Sequence, residues 1–390
     1  MVLLLAALLL LSSVPALSAQ EGSFAFVNKS KVNIREAPGG KIMTRVEDGI
    51  TVYVLGSLKK GGKTWYRVVF QEGEYTKYTK AGWMDGTFLT GLRDQYHDVT
   101  QIALGDSHLL MLHRDGTASA AGVWMREEGD VIGWRDVESI AAARFGSIGL
   151  RADGTVAVSK RGEDVDLASW TNVRAVFAQN DIDQVIGVGK DGAVLSFYPI
   201  EGWLMPGWAG AKQMIWADFW NVQLLMDGTV HIQLRGERTE ESVWQRLLAA
   251  EKLEGVKQIA LCTTYGFGAP AALACLLADG TVRIFDTGSA SSIDISAAAT
   301  WTDMDAIAAN QGYILGLKKD GSVVMAGEIV SPGIIPGATY LDDDLFVNFA
   351  QTGQLNAWQG MKAIAAGRDM IAGLHADGTV DMLAAWRWEK

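Results

Sequence analysis

Seven copies of one short module set the limits on what this chain can become. From Met361 to Asp377 is sixteen positions, and sixteen also separate Val99 from Asp115, Val137 from Asp153, Ala211 from Asp227 and Met304 from Asp320. Val173 to Asp191 is eighteen, and Val256 to Asp279 is twenty-three. Each copy ends in Asp-Gly and a small residue. An aromatic stands three places before the start in six of the seven: Tyr96, Trp134, Trp170, Trp208, Trp301 and Trp358, with Leu253 in that place in the other. A chain built this way buries each unit's apolar face on its neighbours, so no copy is stable alone.

The module reads as strands. In the second copy Val137-Glu138-Ser139-Ile140-Ala141-Ala142 leads to Ile148-Gly149-Leu150, then Asp153-Gly154, then Thr155-Val156-Ala157-Val158. Asp-Gly between two apolar runs is a hairpin signal, because Gly accepts positive φ and Asp tolerates it. Each copy therefore gives strands A, B and C, with a fourth, outer strand expected from the variable segment before the next Trp. Four-stranded units at this spacing are propeller blades. The expectation is an all-β chain whose main part is a seven-bladed β-propeller. Only about ten residues follow Val380, so the last blade is expected to be completed from the N-terminal side, by Asp85 to Gln95.

The Val-x-x-Ile-Ala-Ala-Gly run, the Gly-Leu pair, Asp-Gly-Thr-Val and the spaced Trp resemble the regulator-of-chromosome-condensation repeat, over residues 96–390. The resemblance implies the propeller fold and leaves function open. The His that often follows Ala-Ala-Gly in that family is kept once, at His108, and the outer-strand Gly-Gln pair survives best at Gly353-Gln354.

Residues 1–19 are apolar and uncharged up to a small-residue site at Ser18-Ala19, a secretory signal pattern too short to span a membrane comfortably. The mature chain is expected outside the cytoplasm, secreted or at the cell envelope. Residues 24–92 form a second unit. Val32-Asn33-Ile34-Arg35, Gly49 to Leu55, Trp65 to Val69 and Gly82-Trp83-Met84 follow the order of a bacterial Src-homology-3-like domain, which they resemble. That resemblance implies a small β-barrel. Asp85-Gly86-Thr87 at the seam reads either as part of this barrel or as a degenerate eighth hairpin.

Charge divides the chain. Residues 24–92 hold eleven Lys and Arg and six Asp and Glu, hence +5; with Glu21 at −1 and −11 overall, residues 93–390 carry −15. A ring that acidic is a poor partner for nucleic acid, where cations on phosphate supply most affinity. Cys262 and Cys275 are the two cysteines. They read as buried thiols filling small slots, with a cross-strand disulfide as the alternative. None of the five His stands at metal-ligand spacing, and Asp181-Ile182-Asp183 and Asp342-Asp343-Asp344 lack the pattern of a calcium loop. No metal or cofactor is expected.

Variation is concentrated in the A–B and C–D connections, which share one end of such a ring. They carry Phe145, Phe219, Trp220, Tyr265, Phe267 and Tyr313 in A–B, and Trp124 and Trp203 in C–D. Large aromatics among Asp, Asn and Arg have interface composition. These eight are the candidate binding residues, about half of the aromatics being expected as caps on neighbouring blades. The expected function is a monomeric, non-catalytic binding protein for a protein or cell-wall glycan. The alternatives are an inhibitor of an extracellular enzyme and, further off, a propeller hydrolase or lyase.

Overall fold

The computed structural model describes residues 24–47, 50–71, 79–91, 96–105, 108–122, 131, 133–143, 146–159, 170–179, 184–196, 210–216, 220–234, 241–263, 270–286, 294–329, 345–346, 354–368, 370–384 and 387–388. The expected leader and both acidic triplets lie outside them.

The N-terminal unit is one antiparallel sheet. Its strands are β1 (Phe24–Val27), β2 (Val32–Arg35), β3 (Ile42–Val46), β4 (Thr51–Lys60), β5 (Lys63–Gln71), β6 (Thr79–Asp85) and β7 (Leu89–Gly91). They lie in the order β3-β2-β6-β5-β4-β1-β7. Gly61 and Gly62, at φ 60° and 74°, turn β4 into β5, and a bulge between Val54 and Gly56 bends β4. Ile34, Val54, Val68, Phe70 and Met84 fill the inside. Asp85 closes this sheet: its Oδ1 accepts from the Thr87 amide at 3.1 Å and the Thr87 hydroxyl at 2.9 Å, starting a 3-10 turn over Gly86–Phe88. That settles the seam. Asp85-Gly86-Thr87 belongs to the small unit and makes no hairpin.

Among the described residues, seven three-stranded antiparallel sheets follow, one per copy. Their first strands are Val99–Leu104, Val137–Ala142, Val173–Gln179, Ala211–Trp216, Val256–Thr263, Met304–Asn310 and Met361–Ala366. Each packs on the first strand of the next sheet, and the seventh packs on the first, so the cycle closes and these strands line its axis. This is a propeller.

The Asp-Gly turns form as expected. Their glycines, Gly116, Gly154, Gly192, Gly228, Gly280, Gly321 and Gly378, have φ between 79° and 89°. Each Asp accepts the amide two residues on, at 2.8–3.0 Å. At six of the seven turns the glycine carbonyl then accepts from the first amide of the next sheet. Val137 N donates to Gly116 O at 3.0 Å, and Val99 N to Gly378 O at 3.0 Å across the closing junction. To aim that amide, the preceding residue turns left-handed: Asp98, Asp136, Asn172, Asp303, Gly255 and Gly360 have φ of 57–68°. Asp, Asn and Gly tolerate this region best, which accounts for their recurrence two places after the Trp.

The Trp has a partner in strand B. A Cβ on Gly149, Gly187, Gly316 or Gly373 would lie 2.8–2.9 Å from the rings of Trp134, Trp170, Trp301 and Trp358. Glycine is required there because the indole occupies the side-chain space. Where the Trp is replaced, the slot is refilled. Leu253 goes with Cys275, and Tyr96 with Met111, both fillers fully buried. Tyr96 turns outward instead. Its ring meets Phe26 edge-on at 5.3 Å and its hydroxyl donates to Ala120 O at 3.1 Å. Phe26 and Val69 thereby join the core of the first and last sheets, so the two units share apolar packing.

The structure bears on three further expectations. First, each sheet of the ring has three described strands, and much of the segments expected to give a fourth lies outside the described residues. Their described parts hold helix α1 (Glu241–Leu248), 3-10 turns at Ala249–Lys252, Ser296–Thr300 and Gln354–Ala357, and a short strand, Leu345–Phe346, that pairs with Arg387–Trp388. Leu247 and Ala250 are fully buried beside Val230, filling the space left without a Trp in the fifth copy. Second, Leu89–Gly91 pairs with β1, so the described part of Asp85 to Gln95 does not complete the ring. Third, Cys262 and Cys275 are buried free thiols, in line with their reading as fillers of small slots. Cys275 faces Ile259 and Cys262 faces Ala272 along the pairing, and the two thiols lie in different core clusters. Burial pushes the Cys275 thiol up to about 12.

Candidate functional site

The ring has two ends. At the A–B end, strand B begins with a different residue in each sheet, and the described ones turn inward. His108 is 3% exposed, and its Nε2 lies 2.8 Å from Ser147 Oγ of the second sheet. Ser147 N in turn donates to Ser159 Oγ at 2.9 Å. Burial lowers the His108 pKa to about 4, so the ring is neutral and the contact is a plain hydrogen bond. Tyr313 is fully buried and donates to Gly367 O of the seventh sheet at 2.6 Å. Trp220 is 2% exposed and packs with Leu261, Leu273 and Cys275 of the fifth sheet.

Trp220 and Tyr313 are therefore not partner-facing. Both cap the junction to the next sheet, because a large side chain at the head of strand B reaches the neighbour before it reaches solvent. Phe145, Phe219, Tyr265, Phe267, Trp124 and Trp203 lie outside the described residues. The strands that lead into them, ending at Gly122, Ala142, Ser196, Trp216 and Thr263, all finish at this end.

At the Asp-Gly end, every first strand carries a bulge after its first residue. A bulge adds one unpaired residue and re-aims its side chain. The seven bulged residues are Thr100, Glu138, Arg174, Lys212, Lys257, Asp305 and Lys362. All are polar, and all but the half-buried Arg174 are exposed. Their contacts run around the axis. Lys212 Nζ donates to Lys257 O at 2.7 Å, Lys257 Nζ to Asp305 O at 2.7 Å and to its Oδ1 at 2.6 Å, and Lys362 Nζ to Val99 O at 3.5 Å. Beside Thr100 and Glu138 a groove of about 550 Å³ opens between the first two sheets, with Leu112 and Val137 as apolar lining and His113, Asp115 and Asp136 as polar lining. This polar circle escaped the sequence reading, although its signal is plain: the residue after the first apolar position of each copy is polar in all seven.

Among the described residues no group of three His, Cys, Asp or Glu side chains could hold a metal, and no helix is long and apolar enough to cross a membrane. No family model matches the chain, and no curated protein matches it. Solved structures do. The CRINKLY WD40 ectodomain of the Arabidopsis thaliana receptor kinase ACR4 is 12% identical over 75% of this chain and 99% of that one, with a TM-score of 0.45. The ectodomain of the Physcomitrella patens receptor kinase CR4 is 12% identical over 74% of each chain, with a TM-score of 0.47. Prp20p from Saccharomyces cerevisiae is 16% identical over 75% of this chain and 77% of that one, with a TM-score of 0.34. The fold assignment itself rests on the sheet order and the closing contacts given above.

Proposed function

We propose that this chain is an exported, non-catalytic binding protein. In this reading residues 1–19 are a cleaved leader, residues 24–92 a Src-homology-3-like unit that helps to hold the protein at the envelope, and the ring a rigid seven-bladed scaffold. Its partner is a protein or a wall glycan, bound at the A–B and C–D end by the aromatics of the connecting loops. The observation that supports this is how differently the two ends are built. One end repeats the same turn, carbonyl staple and left-handed residue around the ring. At the other, the caps at three junctions are different side chains, His108, Trp220 and Tyr313, and the connecting sequences differ in length and content. A partner needs asymmetry to fix its orientation, and the second end supplies it.

The test is a photo-reactive residue placed in the full chain at position 265 in one variant and at position 320, in an Asp-Gly turn, in another. After irradiation in the producing cells, a discrete larger adduct from 265 and none from 320 is the expected result. An adduct from 320 alone would put the partner on the wrong end of the ring. Export is checked separately, by sequencing the N-terminus of the mature protein.

A further inference from the structure

The bulged residues at the axis carry an inference independent of the macromolecular partner. The fold demands a polar side chain there and nothing more specific, since Thr100, Glu138 and Asp305 fill the same position as the lysines. Four of the seven are nevertheless cations, Arg174, Lys212, Lys257 and Lys362, in a ring portion of net charge −15 by the count above. Lys257 is paired with the carboxylate of Asp305 at 2.6 Å. Lys212 and Lys362 each donate to a carbonyl of the neighbouring sheet, at 2.7 and 3.5 Å. An ammonium has three N–H donors, so one such bond tethers the charge over the axis and leaves two donors for a ligand. The charge is thus held in place before any ligand arrives, which lowers the ordering cost of binding.

We propose that the axis mouth at the Asp-Gly end binds a polyvalent oxyanion. Arg174, Lys212 and Lys257 come from three consecutive sheets, and Lys362 from the seventh, across the ring. One small anion cannot meet cations on both sides of the axis, so the ligand carries several phosphate or carboxylate groups. The outer Asp-Gly turns, each ending in a carboxylate, surround this arc and restrict attraction to its centre.

Titration calorimetry on the full chain at low ionic strength tests this, with inorganic tripolyphosphate in one arm and citrate in the other to separate phosphate from carboxylate ligands. The axis variant is Lys212→Thr with Lys362→Thr, chosen because threonine occupies the same bulge natively at position 100. The rim control on the same end is Lys190→Gln with Lys319→Gln, both exposed. Melting curves show that each variant is folded. A loss of about tenfold or more in affinity for either probe in the axis variant, and less than about twofold in the rim control, is expected. No heat with either probe, or an equal loss in both variants, overturns the proposal. The second result would mark a diffuse field in place of a site.

Discussion

The two ends of the ring solve the same mechanical problem differently. Both must join adjacent sheets. The Asp-Gly end does so with backbone: a left-handed glycine offers its carbonyl to an amide aimed by another left-handed residue, and the arrangement is repeated around the ring. The A–B end does so with side chains used once each, among them His108 onto Ser147, Tyr313 onto Gly367 and Trp220 into the fifth sheet. Backbone joints depend on which residues permit a conformation, so they recur as a motif. The caps at the A–B end depend on shape, so they do not. Substitution at the A–B end should therefore cost packing, and at the Asp-Gly end conformation.

The largest effect is expected at Trp220. Truncation to alanine removes a side chain 2% exposed between the fourth and fifth sheets. Large-to-small changes of this kind cost ~3–5 kcal/mol. Chemical denaturation of Trp220→Ala should show a loss of that size. A near-native midpoint would return Trp220 to the rim surface and erase the contrast between the ends.

His108 makes the A–B end sensitive to acid. Its folded pKa is about 4, against about 6.5 for a free imidazole. The fold favours the neutral ring. The contribution is thus complete above about pH 6.5 and is lost as pH falls through about 4, with a ceiling of about 3 kcal/mol at 1.36 kcal/mol per unit. The turn aspartates also lose stabilising bonds in acid, because their hydrogen bonds to Thr and Ser hold them below the usual carboxylate range. The informative quantity is therefore wild type minus His108→Gln, followed from neutral pH downward. That difference should narrow as pH falls. A constant difference would mean that His108 is solvated.

At the other end, Gly378→Val tests the closing joint. Gly378 has φ of +89°, and a Cβ there would lie 3.0 Å from Asp98 N. Strained backbone of this sort costs about 2 kcal/mol. Gly360 is left-handed as well, at φ +68°, but a Cβ there meets nothing within 4 Å. Gly360→Ala should therefore cost only the conformational part, about 1 kcal/mol. Equal losses at the two positions would remove close approach as the reason for glycine at 378.

This division also explains what the sequence could tell. The Asp-Gly turns, the order of strands A, B and C and the N-terminal sheet were legible, because turn chemistry and alternation are local. The Trp–Gly pairing was half legible: the Trp recurred, but that Gly149 or Gly316 exists to admit its ring appears only in three dimensions. Trp220 and Tyr313 were misassigned because an aromatic beside a short loop looks the same in sequence whether it faces a partner or the next sheet. The helix before the fifth copy was illegible for a similar reason. Leu247, Ala250 and Leu253 bury apolar surface from a helix and a 3-10 turn as well as a strand would. The bulged polar residues are visible by column, but only the closed ring brings them to one place on the axis.

The smallest effect is the sharpest test of side-chain joining. Tyr313→Phe keeps the ring that fills the space between the sixth and seventh sheets and deletes only the hydroxyl. That hydroxyl donates to Gly367 O at 2.6 Å and lies 3.4 Å from Met370 O. Met370 O keeps the Gly367 amide, at 2.8 Å, so the carbonyl of Gly367 is the group that loses its short bond. Gly367 is buried, and its amide-to-carbonyl loop is closed against Gly105 O, 2.7 Å from where a Cβ on Gly367 would stand. Little room remains for water to replace the phenol. Removing one bond to a buried carbonyl costs about 1 kcal/mol. The expected signature is a loss of that size in denaturation, with faster amide exchange at Ile371, whose strand begins at the loosened joint, and unchanged exchange at Leu374 beside the Asp-Gly turn. Uniform acceleration along Met370–His375 would mean that the two ends of the seventh sheet open together, and that the two kinds of joint form one cooperative unit.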